Sequence, residues 1–465
     1  MAAGQLAGHE GDSMVRYADL RDPDLFTEDE RDWVSRRLLD LRAHMKSPPG
    51  IGIPSRTRNS SLIIGTWNLR DFDNNKYRHG PRRRESLLYI AEIISGFDVC
   101  AIQEVNENLD PLRKVMEILG PQWDFIATDV TVGSSGNRER MAFVFDRSKV
   151  HFQNVAGEVV LPKHALLPDE QQFARTPFLV RFRAGWFHFT LCTVHIYFGS
   201  DEKNSDRFQR RVAEIKHIAE EMARRADRED ENYILLGDFN IGNKMGATMD
   251  ALTSAGFQLP PELFPSNVLG DKYYDQIAFR TRKDKVTFIN AGAFNFTKSL
   301  YLPEHYDHYA PVLPERHREL KENGTPKSRS EDKDYYLSRW RTWQISDHLP
   351  LWVELAIDFS DEHLQHNLSA AAQQEGKPAQ LEVVEEEDGT ISTLVPPASD
   401  HAEVKRRRKR KSPHIPGKEK EGTARVDGKL TLGLAWKIFW FVATGKAEKV
   451  RKMRQEKAKQ EKESP

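Results

Sequence analysis

Residues 232–243 read NYILLGDFNIGN. Tyr233, Ile234, Leu235 and Leu236 are four apolar or aromatic residues in succession, the composition of a strand buried on both faces, and the run ends abruptly on Gly237-Asp238-Phe239-Asn240. Side chains along a strand alternate with a period of two, so a chain that stays extended points Asp238 and Asn240 the same way and makes one polar site of them. Gly, Asp and Asn are equally the residues of an ordinary turn. The fragment alone does not choose between these readings.

The same grammar, an apolar strand followed by a short polar cluster, recurs from about residue 60 to 357. SLIIGTWNL, FDVCAIQEV, RMAFVFD, FHFTLCTVHI, NYILLGDFN and YYDQIAFR follow it, and HLPLWVEL inverts it, with Ser346-Asp347-His348 just ahead of the strand. Helical segments lie between, at 87–95 and at 207–225, where Phe208, Val212, Ile215, Ala219 and Met222 fall on one face. Strands interleaved with helices, with polar residues gathered at strand ends, predict an α/β architecture whose loops converge on one site.

Around this body the chain is divided. Residues 1–58 read as an N-terminal extension with one helix at 27–46, opened by a Thr27-x-x-Glu30 capping box and carrying Val34, Leu38, Leu41 and Met45 along one stripe. Residues 59–360 read as the main domain, interrupted at about 297–343 by an insertion rich in Tyr, His, Arg and Lys. An acidic, Gln-, Ala- and Pro-rich stretch, 361–404, is expected to be a disordered linker. Residues 405–465 form a basic tail with the solid block Lys405–Lys411 and an apolar segment, LTLGLAWKIFWFVATG, at 430–445.

The net charge of -1 hides a strong asymmetry. Residues 401–465 hold 20 Lys and Arg against 8 Asp and Glu, and 361–400 hold 1 against 9, which leaves 48 basic and 53 acidic residues in 1–360. The body is therefore not a basic protein, and its charge by itself argues for no nucleic-acid partner. The two cysteines, Cys100 and Cys192, each lie in an apolar run, offer neither a disulfide framework nor zinc spacing, and suit a reducing compartment. The first twenty residues contain no continuous apolar core, so no secretory signal is expected there and a cytoplasmic location is.

The polar residues at the strand ends are Asn68, Glu104, Glu139, His195, Asp238, Asn240, Asp275, Asp347 and His348. Carboxylates with an amide suit a hard cation such as Mg²⁺ or Mn²⁺, which takes oxygen ligands. Two histidines and an asparagine suit the non-bridging oxygens of a phosphate, and a remaining aspartate suits orientation or deprotonation of an attacking water. Each has a bland alternative: a turn asparagine, a helix cap at Gln103-Glu104, a satisfied core histidine, a loop entering a strand, a solvated Glu139.

Taken together and in order, GTWNL, AIQEV, TVHI, GDFN, YYDQIAF and SDHLPLWVEL resemble the endonuclease/exonuclease/phosphatase superfamily, over about 60–357. The resemblance implies a four-layered α/β sandwich, two packed mixed sheets flanked by helices, and metal-dependent hydrolysis of phosphate esters. It implies Glu104 as the main metal ligand with Asn68 and Asp347 beside it, Asp238 as the residue that activates water, and Asn240 as a contact to the phosphoryl charge. It makes His348 a phosphate-binding histidine held by Asp275, and His195 a second one. RERMAFVF resembles the deoxyribonuclease I stretch in which a glutamate orients that histidine, here Glu139. The chain lacks both the tyrosine loop of abasic-site nucleases, having TVHI instead, and the PAWCDR-type signature of inositol polyphosphate 5-phosphatases.

Two substrate classes follow. Nucleic acid is the first, by likeness to the deoxyribonuclease branch and because Arg82 to Arg84, Arg138, Arg140 and the basic aromatic insertion are able to track a phosphate backbone and stack bases. A phospholipid is the second. Lys405–Lys411 beside an apolar segment with Trp436 and Trp440 suits an anionic membrane surface, although 430–445 is short for a transmembrane span and contains Lys437. A non-catalytic scaffold is a third reading, which the full set of polar residues disfavours.

Overall fold

The computed structural model describes residues 15–48, 50–72, 77–131, 138–163, 166–167, 171–282, 287–314, 325, 328–368, 383–385 and 391–393. They fall in two units, residues 1–377 and 378–465. The second contains a short antiparallel pairing of Val383–Glu385 with Ile391–Thr393. The basic run and the apolar segment of the tail lie outside the described residues.

Among the described residues of the first unit, eleven strands form two sheets. The first is built from β1 (Ser61–Phe72), β2 (Val99–Val105), β3 (Trp123–Ala127), β4 (Arg140–Asp146), β10 (Thr287–Ala293) and β11 (Leu351–Ala356), in the order β10-β11-β1-β2-β4-β3. The second contains β5 (His151–Glu158), β6 (Phe178–Ala184), β7 (Phe187–His195), β8 (Asn232–Asp238) and β9 (Asp275–Arg280), in chain order. One pair in each sheet is parallel, β1 with β2 and β7 with β8, and the other pairs are antiparallel, so both sheets are mixed.

Alternation explains the layering. In β8, Ile234 and Leu236 face the first sheet and join a central core with Leu62, Ile64, Phe143, Phe182, Leu191 and Val353. Tyr233 and Leu235 face outward onto α4 (Asp206–Glu229) and α5 (Ala247–Thr253), where they meet Ile215, Ile218, Met222 and Leu252. On the other side, Ile63, Trp67, Cys100 and Ile102 pack under α1 (Glu28–Met45), α2 (Arg84–Ser95) and α3 (Asp110–Leu119). Helices, sheet, sheet and helices make four layers, the α/β sandwich that the strand pattern predicts. The unbroken run at 233–236 is apolar because both faces of β8 are covered.

The N-terminal helix forms as its sequence dictates. Thr27 and Glu30 complete a capping box, and Val34, Leu38, Leu41 and Met45 enter the outer core. The described residues of the segment 297–343 form short helical turns and, from 329, a continuous helical run with a π-helical turn at Tyr336–Trp340. Its Tyr301, Tyr309, Tyr336, Trp340 and Trp343 are buried, so these rings are core and not a base-stacking platform. A helix at Ser360–His366 occupies the start of the stretch read as linker. Among the described residues no helix is long and apolar enough to cross a membrane.

Candidate active site

Strand parity carries five of the nine polar residues into the seam between the sheets. Asn68 shares the phase of Leu62 and Ile64, His195 that of Phe189 and Leu191, Asp238 that of Ile234 and Leu236, and Asp275 that of Ile277 and Phe279; Glu139, just ahead of β4, shares that of Met141 and Phe143. The site is thus the polar end of the central apolar layer. Below it, Gln103 Nε2 donates to Thr66 Oγ1 at 3.1 Å and Thr193 Oγ1 at 2.9 Å, linking the two sheets.

Glu104 is out of phase. Parity assigns Gln103 to the seam and would send the next side chain outward. Instead Glu104 adopts φ 59°, and the β2–β4 register shifts between Ile102 and Val105, so a bulge turns the carboxylate back to the seam. Opposite it, Arg70 and Asp71 are both left-handed, at φ 47° each, in a second irregularity between Asn68 and Phe72. This bulge delivers the Asp71 N–H to Glu104 Oε2 at 2.7 Å. Non-glycine residues with positive φ are uncommon, and three sit at this corner.

Asn68 Nδ2 donates to Glu104 Oε1 at 2.8 Å and to Asp238 Oδ2 at 3.0 Å, while its Oδ1 accepts from Arg70 N at 2.8 Å. One amide therefore bridges two carboxylates. Burial, with the neighbouring charges of Glu139 and Asp71, raises the Glu104 pKa against the opposing pull of His195. A carboxylate so placed is one that a cation would relieve, and its hard oxygens fit Mg²⁺ or Mn²⁺. Asp347 lies apart from this bridge, its side chain 48% exposed and its Oδ2 3.6 Å from Arg70 Nε.

Two carboxylate–histidine pairs flank Asp238. His348 Nδ1 lies 2.7 Å from Asp275 Oδ2, and its Nε2 lies 3.9 Å from Asp238 Oδ2. His195 Nδ1 lies 2.9 Å from Glu139 Oε2, an ion pair outside hydrogen-bond alignment, and its Nε2 lies 3.6 Å from the same Asp238 Oδ2 and 3.9 Å from Glu104 Oε1. Burial lowers the pKa of each histidine, but the charges of Asp275 and Asp238 for His348, and of Glu139 and Asp238 for His195, outweigh it and raise both. Burial opposes the Glu139 charge as well, yet His195 and Arg175 hold that carboxyl well below its usual range. The arrangement presents two imidazole Nε2 positions on either side of one aspartate.

Asn240 departs from the expectation of an extended chain. The strand ends at Asp238, and Asn240 sits at φ 54° with its backbone N–H donating to Asp238 Oδ1 at 2.8 Å and its Nδ2 to Ile196 O at 2.8 Å. It braces the aspartate and the end of β7 together. The two residues meet through a turn, not through alternation.

Two further contributors were given no role by the sequence. Arg175 holds Glu139 through Nε and Nη2 at 3.1 and 3.2 Å. Ser346, which the sequence showed only as the first residue of the SDH stretch, donates from Oγ to Asn68 O and accepts from His348 N at 3.0 Å. Arg175 has no motif of its own, because it acts through a partner distant in the chain.

Of the expected basic track, Arg82 is buried against backbone carbonyls, Arg83 pairs with Glu85 at 2.5 Å, Arg138 with Glu107 at 2.7 Å, and Arg140 Nη1 donates to Thr128 O at 2.7 Å, while Arg84 is exposed. Three loops each expose a large apolar side chain: Phe198 at 44%, Met245 at 76% and Leu269 at 87%. The loops adjoin, since Arg211 donates to Phe198 O and Asn240 O, and Tyr273 N to Ile241 O.

Two packed mixed sheets between helical layers, with polar residues at adjoining sheet ends, make this a four-layered α/β sandwich with a candidate site at one end of its seam. No protein-family model matches the sequence, and no curated protein matches it. Among solved structures, a Bacteroides thetaiotaomicron protein described as endonuclease/exonuclease/phosphatase family is similar at 18% identity and TM-score 0.42, covering 65% of this chain and 99% of that one. A mannosyl-6-phosphatase from Bacteroides thetaiotaomicron VPI-5482 is similar at 17% identity and TM-score 0.40, over 63% and 99%. The human Nocturnin catalytic domain, with bound sulfate, is similar at 13% identity and TM-score 0.40, over 67% and 100%. The chemistry of the site therefore rests on this chain's own residues.

Proposed function

We propose that this protein is a divalent-metal-dependent phosphoester hydrolase. The observation that carries the reading is the placement of the His195 and His348 Nε2 atoms 3.6 and 3.9 Å from one oxygen of Asp238, each histidine backed by its own carboxylate. Two imidazolium donors so disposed are able to hold non-bridging oxygens of a phosphoryl group between them and to meet the charge that grows there. Asp238, between them, accepts a proton from the attacking water or orients it. Asn240 and Asn68 keep its carboxylate aimed through their donated N–H groups.

Glu104 is the residue that would hold the cation, beside His195 and Asp238, whose ligand atoms lie within 4.8 Å of its own, while Asn68 and Asp347 are the further ligands that the resemblance implied. When bound, a Mg²⁺ or Mn²⁺ ion supplies charge neutralisation and Lewis acidity at the phosphoryl oxygen or leaving group. His195, His348 and Asp238 position substrate and water.

Within this class we take a nucleic-acid phosphodiester as the first substrate, supported by the Glu139–His195 pair that the likeness to deoxyribonuclease I implied. A phospholipid headgroup is the second reading. It is favoured by the exposed Phe198, Met245 and Leu269 on adjoining loops, and by the burial of Arg82, which takes it out of reach of a nucleic-acid backbone. Purified full-length protein with Mg²⁺ should be incubated with plasmid DNA, RNA, sphingomyelin and a phosphoinositide panel. Cleavage of either nucleic acid supports the first, turnover of lipid alone the second, and inertness toward all four together with bis(p-nitrophenyl) phosphate refutes the hydrolase reading.

A further inference from the structure

Arg82 is a buried cation whose fork reaches both halves of the site. Its Nη2 donates to Leu69 O, to Arg70 O at 2.9 Å and to Ile345 O at 3.3 Å, and its Nη1 to Asp71 O at 3.4 Å. Leu69, Arg70 and Asp71 form the left-handed bulge after Asn68, whose Asp71 N–H holds Glu104. Ile345 precedes Ser346-Asp347-His348, and the Ser346 hydroxyl joins Asn68 O to His348 N. The guanidinium also lies over the Phe72 and Trp343 rings, 5.0 and 5.5 Å from their centroids.

Two consecutive left-handed residues turn their carbonyls to one side and cost conformational energy. A planar cation with several N–H donors satisfies those carbonyls at once and makes the bulge the favoured state. Because the same fork bonds the loop ahead of His348, it fixes the separation of the Asn68–Glu104 corner from the histidine. We propose that Arg82 is a positioning residue for the active site, setting the geometry of the cation-side residues against the phosphate-side residues while touching no substrate. This rests on the hydrolase reading above.

A lysine in this place keeps the charge but lacks the fork, so it can bond only part of the carbonyl set. We expect Arg82→Lys to lower kcat on bis(p-nitrophenyl) phosphate by roughly 10- to 100-fold, as loss of outer supports to a metal site does, with KM within about two-fold. Mn²⁺ affinity, read without substrate by electron paramagnetic resonance, should weaken by at least about 10-fold in the same variant. Guanidinium added to Arg82→Ala should restore part of kcat, a recovery that general loosening of the fold would not give.

Wild-type kcat and Mn²⁺ affinity in folded Arg82→Lys would overturn the proposal. So would a kcat loss matched by the unfolded fraction measured by circular dichroism in the same buffer. Wild type that binds Mn²⁺ but cleaves no phosphoester refutes the hydrolase reading alone, since the Mn²⁺ comparison still decides the role of Arg82.

Discussion

Asp275 and His348 meet at 2.7 Å although seventy-three residues separate them, one from the second sheet and the other from the loop entering β11 of the first. Asp275 is fully buried, and its backbone N–H donates to Ser266 Oγ at 2.9 Å, which fixes the start of β9. The pair clamps the two sheets together at the site and holds the imidazole with Nε2 toward Asp238. Asp275 acts on the chemistry through His348. Asp275→Asn should therefore reduce kcat less than His348→Ala, and the double variant should lose little more than His348→Ala alone, measured as a double-mutant cycle in kcat. Additive losses would separate the two roles.

Glu104 is the one carboxylate at the bridge with a solvent-reachable edge, 19% of its side chain, and burial already disfavours its lone charge. Glu104→Gln should abolish nearly all turnover and remove tight Mn²⁺ binding, while circular dichroism stays that of wild type. EDTA should silence the wild type, and Mg²⁺ or Mn²⁺ should restore it. Turnover unaffected by EDTA contradicts the cation.

Glu139 has a second duty that sets it apart from Asp275. Glu139→Gln removes the charge that both arms of buried Arg175 hold, so it leaves a cation uncompensated in the interior. Breaking such a pair costs about 3–5 kcal/mol. Urea unfolding should show that loss for Glu139→Gln, alongside reduced activity, and replacing Arg175 as well, in Glu139→Gln/Arg175→Met, should recover part of the stability but not the rate.

Acid should destabilise the end of the sandwich remote from the site. Burial opposes the charge of Asp146, but Ser148 and Arg56 outweigh it and lower its pKa in the folded protein. A depressed folded pKa means stability that is complete above the unfolded value of about 3.9 and lost as pH falls through the lower folded one. The urea midpoint of wild type should fall from pH 6 to pH 3, and in Asp146→Asn the fall should be smaller, starting from a less stable protein at pH 6.

The tail is separable in function from catalysis on this reading. Truncation after Asp400 removes Lys405–Lys411 and the apolar segment with Trp436 and Trp440. Basic residues near an anionic surface contribute roughly 1 kcal/mol each, and apolar burial adds to them. The truncated protein should hydrolyse a small soluble diester as wild type does and should no longer co-sediment with anionic liposomes. Full-length protein that ignores liposomes but binds DNA with a steep salt dependence would make the tail a nucleic-acid arm.

By itself the sequence determined the layers and the facing of most of the polar residues at the strand ends, because period-two alternation is local and both faces of these strands are covered. Apolar residues at 234 and 236 fix the phase of Asp238, as 189 and 191 fix His195, 277 and 279 fix Asp275, and 62 and 64 fix Asn68. A polar residue in phase with the central core, one step beyond its last apolar member, has only the seam mouth to face. Tertiary structure alone decided the exceptions. Glu104 stands on the wrong phase and reaches the site through a bulge whose left-handed residue no local preference demands. Asn240 meets Asp238 through a turn, and the aromatic insertion became core instead of a nucleic-acid surface. Arg82, read from the sequence as part of a track for a phosphate backbone, is buried because only the folded chain brings the carbonyls of residues 69–71 and 345 to one point. Such groups are satisfied by partners far away in sequence, and no local pattern records who those partners are.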